Sequence, residues 1–205
     1  MEKTPFRIFV GIAFLGLSFA CLSWSAWDWG RREVTQITAE SEFEKLVEDR
    51  AGKPAKRGPR KRVSGPVAKL EIARLGVSGI VEEGLDAKTL KNAIGMSLTS
   101  AQPGERGNVV LAAHRDTFFA GLRNAKKGDV VVLSTTDGKK HKYQISKTFV
   151  VDPSAHWVMN SSPKKKMLTL ITCYPFRYVG SAPQRFIVQA EPVDDVKPKR
   201  PVKRG

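Results

Sequence analysis

Across residues 67–191 short apolar segments alternate with turn signals. VAKLEI, GNVVLAA, DVVVLS, KYQISKTFVV, KMLTLIT and RFIVQA are rich in Val, Ile and aromatic residues, and Pro-Gly, Lys-Gly-Asp and Asp-Gly pairs bound them. That is the pattern of many short strands. The best helix candidate is AKTLKNAI, with Asp86 placed to cap its first turn and Leu85 available as a hydrophobic staple. Mostly strand with one or two short helices predicts a barrel or a sandwich. Residues 8–27 read differently, as IFVGIAFLGLSFACLSWSAW without one charge. About 20 residues at ~1.5 Å each match a hydrocarbon core about 30 Å thick. Lys3 and Arg7 precede the run and Trp24, Trp27 and Trp29 follow, where amphipathic rings favour the membrane interface. Bulky Trp residues flank Ser25 and Ala26, which favours an uncleaved anchor over a signal-peptide cut. The expected organisation is an N-terminal membrane anchor at 1–29 and a polar, basic linker at 30–66, helical around 39–47. A folded domain at 67–192 and a basic tail at 193–205 complete it.

A chain of 205 residues holds one ordinary domain plus extras. Its net charge of +15 is uneven. Much of it lies in Lys53, Lys56, Arg57, Arg60, Lys61 and Arg62, and in Lys197, Lys199, Arg200, Lys203 and Arg204. Pro and Gly interrupt both clusters, so they read as solvated segments able to touch anionic lipid, an acidic wall polymer or nucleic acid. Of the two cysteines, Cys21 falls inside the apolar run and Cys173 near the end of the strand-rich region. Such settings do not suit a disulfide, which leaves Cys173 as an unpaired thiol and a nucleophile candidate. No Cys/His cluster has metal-ligand spacing, and Glu82-Glu83 alone is too little for calcium, so neither a metal nor a cofactor is expected.

Side chains alternate faces along a strand, so in MLTLITC residues Leu168, Leu170 and Thr172 share one face and Thr169, Ile171 and Cys173 the other. Cys173 stands at the strand end, just ahead of Tyr174-Pro175, and Arg185 opens the next strand. If those two strands are antiparallel neighbours, Cys173 and Arg185 lie together at the loop end. His114 follows the strand 108–113 and leads into Arg115-Asp116. A thiol attacks as thiolate, which a neighbouring cation favours; a histidine can protonate a leaving amine and an arginine can hold an oxyanion. Asp116 as an orienter of His114 competes with a turn-capping role and stays outside the catalytic set. His141 reads as a solvated strand face, and His156 beside Trp157 as rim packing.

TLITC (169–173) resembles the nucleophile motif of sortases, with Arg185 matching their active-site arginine. PGERGNVVLAAHRDTFF (103–119) resembles their histidine region, and HRDTFF together with TCYPF is most similar to class D. The chain departs from many relatives at Gly95-Met96, where they read Gly-His, and at Ala112-Ala113-His114, where they read Ala-Gly-His. The resemblance implies a closed eight-stranded β-barrel and a transpeptidase with Cys173, His114 and Arg185 as its catalytic set. Its substrate would be an exported protein carrying a C-terminal, LPxTG-like sorting signal. A thioester on Cys173 would pass to an amine of a wall peptide or a pilin lysine, on the extracytoplasmic side of the cell membrane. Two alternatives stand beside it. One is a cysteine protease or amidase with the same Cys/His pair, and the other a membrane-tethered module that binds anionic polymer through the basic flanks.

Overall fold

The computed structural model describes residues 4–50, 65–162 and 164–193, with side chains of the first segment at 15–27 and 37–49. The chain divides into two units, Met1–Thr38 and Ala39–Gly205. One helix, α1 (Thr4–Arg50), supplies the described part of the first unit and opens the second. It contains the helix expected at 39–47. Leu15, Leu17, Phe19, Leu22, Trp24 and Trp27 are all exposed on it. Among the described residues no helix is long and apolar enough to cross a membrane. The expected span at 8–27 falls partly on residues whose side chains are not described, so the structure does not show it. Both basic clusters lie outside the described residues.

In the second unit eight strands follow: β1 (Pro66–Ile72), β2 (Val77–Glu83), β3 (Ile94–Met96), β4 (Gly107–Ala112), β5 (Val130–Thr135), β6 (Lys140–Val151), β7 (Lys166–Tyr174) and β8 (Gln184–Pro192). They close a barrel in the order β1-β2-β3-β4-β7-β8-β6-β5. This is the expected mainly β, eight-stranded closed barrel. Closure leaves no free sheet edge, and each strand turns one face to a filled interior. Leu70, Ile72, Val109, Leu111, Leu133, Leu168 and Leu170 share that core. The alternation of β7 places Leu168 and Leu170 inward and Thr169 outward, where its hydroxyl donates to Asn108 Oδ1 at 2.8 Å. Asn108 Nδ2 in turn donates to the Val158 carbonyl at 3.0 Å, so a buried polar pair on the outer face of β4 and β7 is satisfied by the 156–161 segment.

The short helix α2 (Ala87–Asn92) starts as expected, with Asp86 accepting from the Thr89 N–H at 3.1 Å. Leu85 and Leu90 close over Gly95, where an added Cβ would come within 2.3 Å of the Gly84 carbonyl oxygen. Glycine is therefore required there for β3 to pass beneath the loop. Its neighbour Met96 is fully buried in the core. The departure at Gly95-Met96 thus adds an apolar core side chain. At 39–50 the helix meets the barrel, with Phe43 buried and Glu40 paired with Lys69 at 3.0 Å.

Candidate active site

Three strand ends build the site. In the antiparallel β7/β8 ladder Cys173 is the direct partner of Arg185. Directly opposed residues project to the same face, so register alone sets this thiol and this guanidinium side by side. On the other side of β7, β4 runs parallel to it with Ala112 opposite Ile171. The ladder continues for one more bond, from Ala113 N–H to the Ile171 carbonyl at 3.3 Å. Inside, the Thr172 hydroxyl donates to the Ala113 carbonyl at 2.8 Å. The residue before Cys173 thereby fastens the residue before His114. The chain then turns, with the Phe119 N–H returning to the His114 carbonyl at 3.1 Å and Phe119 wholly buried as an anchor.

A cleft of about 360 Å³ lies over these ends, lined by His114, Arg115, Asp116, Cys173, Gly180, Ser181, Ala182 and Arg185. All three residues singled out from the sequence line it. Cys173 is a half-buried free thiol, Arg185 is half-buried and His114 is exposed. Arg185 Nη1 donates to the Gln184 carbonyl at 2.9 Å and the Ala182 carbonyl at 3.2 Å. The guanidinium is thus oriented by the end of the loop that leads into its own strand. Asp116 is exposed at the cleft rim. Cys21 is also free and exposed.

Sequence reading missed the far wall of the cleft and the residue that grips it. Arg115 Nη2 donates to the Tyr178 carbonyl at 2.9 Å, and its guanidinium carbon lies 5.9 Å from the centre of the Tyr178 ring. The partners are 63 residues apart, and only the adjacency of Arg115 to His114 hinted at a role. His141 is a correction to the solvated-face reading. Its ring occupies the space an added Cβ on Gly104 would need, with Cε1 only 2.3 Å from that point. Trp157 is 56 % exposed, yet its ring stacks on Phe149 at 5.9 Å between centroids, and His156 beside it is exposed. Among the described residues no group of three or more His, Cys, Asp or Glu could hold a metal ion.

Comparison with known proteins gives the family. The sortase domain model matches residues 70–193, and the chain belongs to the sortase family, whose members are cysteine transpeptidases. Sortase D of Bacillus subtilis is 38 % identical over 124 residues, 60 % of this chain and 62 % of that protein, so the match spans less than two thirds of that relative. Sortase SrtE2 of Streptomyces coelicolor is 28 % identical over 189 residues, 80 % of this chain and 72 % of the relative. The solved structure of a Clostridium perfringens Sortase D5 transpeptidase superposes with a TM-score of 0.62 at 26 % identity, covering 79 % of this chain and 98 % of that one.

Proposed function

We propose that this chain is a membrane-anchored cysteine transpeptidase acting on exported proteins with an LPxTG-like sorting signal. The observation that carries the reading is the convergence of Cys173, Arg185 and His114 on one cleft from three adjacent strand ends. The Cys173 thiolate attacks the threonine carbonyl carbon, and the developing oxyanion is held by Arg185, whose loop bonds use only Nη1 and leave its other N–H groups to face the substrate. Collapse of the tetrahedral intermediate breaks the amide C–N bond, and His114 as imidazolium gives its proton to the leaving amine. An acceptor amine, from a wall peptide or a pilin lysine, then attacks the thioester. His114 takes its proton and Cys173 departs as thiolate, which restores the starting charges.

Residues 67–192 would be the catalytic domain in this reading, with 30–66 as spacer and 193–205 as a basic tail able to meet anionic lipid or polymer. The unbroken apolar run at 8–27 and its exposed Leu, Phe and Trp side chains favour an anchor in a single membrane, with the barrel on the extracytoplasmic side. Product analysis of a sorting-signal peptide tests the chemistry. Turnover with an added amine should yield the amine-capped threonyl peptide, and turnover without it only slow hydrolysis. Equal hydrolysis in both conditions would instead assign a protease.

A further inference from the structure

The loop between β7 and β8, residues 175–183, forms the far wall of the cleft through Gly180, Ser181 and Ala182. Two guanidinium groups grip it. Arg185 holds its end through the Ala182 carbonyl. Arg115, one residue beyond His114, holds its middle through the Tyr178 carbonyl and the face of the Tyr178 ring. Between the two grips the loop has little else to fix it, since Val179 is 98 % exposed and Gly180 turns with φ at +94°. The wall itself consists of glycine, serine and alanine. Side chains that small leave the distance between wall and floor, rather than any bulky group, to set the room for a substrate.

Both Nη2 and the guanidinium face of Arg115 are engaged by Tyr178, while Nη1 is buried without a protein partner among the described residues. The guanidinium thereby joins the turn after His114 to the opposite wall of the cleft. A planar fork that bonds a carbonyl while lying against an aromatic ring fixes both distance and angle, which a flexible ammonium cannot do.

The geometry points to Arg115 as a specificity-determining positioning residue, which ties the 175–183 loop to the His114 turn and so sets the width of the cleft for an extended peptide acyl donor. The inference rests on the proposed chemistry at Cys173, but the measurements that decide it need no turnover. In the full chain carrying Cys21→Ser, alkylation reports Cys173 alone. The wild-type loop should make a bulky N-aryl maleimide react much more slowly than iodoacetamide. Arg115→Ala should shrink that discrimination about fivefold or more while iodoacetamide alkylation changes less than about twofold, and Arg115→Lys should fall between. Amide hydrogen exchange should quicken at 176–182 and stay unchanged in the barrel strands. With a sorting-signal peptide, KM should rise about fivefold with kcat within about twofold. Unchanged reagent discrimination and unchanged loop exchange overturn the role, and so does exchange that quickens throughout the barrel, which means ordinary structural support. If no peptide is turned over by the unsubstituted chain, the transpeptidase reading fails, while reagent discrimination and loop exchange still decide the role of Arg115.

Discussion

The floor and the far wall of the cleft are built on opposite principles. The floor is the meeting of β4, β7 and β8. Cys173 and Arg185 are register partners there, Thr172 locks the Ala113 carbonyl, and Leu168 and Leu170 sit fully buried beneath. Each floor position is fixed by a ladder and a packed core, so a small displacement has to break several contacts at once. The wall is nine residues of loop, anchored at its start by Phe176 against Phe186 and beyond that mostly exposed, with Arg115 and Arg185 bonding its carbonyls. Groups that must meet to make and break bonds need the first kind of support. A surface that has to admit a peptide and release a product needs the second, because local opening draws on the least stable parts of a fold.

Changes at the floor should therefore be far larger than changes at the wall. Cys173→Ala should abolish acylation, and His114→Ala should lower kcat/KM by about 10³-fold, measured by peptide turnover, with the fold intact by circular dichroism. Arg185→Ala should cost about 10²-fold in kcat, the usual effect of losing one oxyanion donor. Comparable losses from Val179→Ser would dissolve the distinction between floor and wall.

Stability should divide along the same line. Leu170→Ala empties a buried position beneath the cleft floor and should cost about 2–5 kcal/mol in denaturant unfolding. Asn108→Ala strands the buried Thr169 hydroxyl and should cost about 1–3 kcal/mol. Val179→Ser, at the exposed tip of the wall, should stay within about 0.5 kcal/mol.

Acid should produce a modest further effect on stability. Burial alone would raise the Asp137 carboxyl, but hydrogen bonds from Lys139 and Thr135 outweigh it and hold the group down at about 2. A folded-state value below the unfolded one gives stability that is present above about pH 4 and lost as pH falls through 2. Lys139 is well exposed, so after solvent screening the gain is of the order of 1 kcal/mol. Asp137→Asn should flatten that part of the stability-pH curve. Asp129, lowered by its hydrogen bonds from Arg74, acts in the same direction.

The floor was largely legible in the sequence and the wall was not. Alternation in GNVVLAA, KMLTLIT and RFIVQA marks strands because one face of each is a filled core. The Asp86 cap was legible because it acts within three residues. β3, only three residues long, is too short to show a period, and β2 has Gly79 in its middle and ends in Glu82-Glu83, a pair that hides a buried Glu83. Parallel pairing of β4 with β7, which brings His114 towards Cys173, depends on barrel closure across more than fifty residues and leaves no local mark. FRYVGSAP shows neither a strand alternation nor a helical period. Its organisation comes from Arg115, whose bond to Tyr178 is a tertiary event with no spacing rule behind it.

Intact-mass measurement of the chain mixed with LPxTG-like peptides and a panel of amines tests the central claim most directly. The account predicts a mass increase equal to the acyl part of the peptide, located on Cys173, absent in Cys173→Ala and discharged by an amine to a capped peptide. A folded chain whose Cys173 reacts with simple thiol reagents, yet is acylated by no peptide in a broad panel, would contradict it.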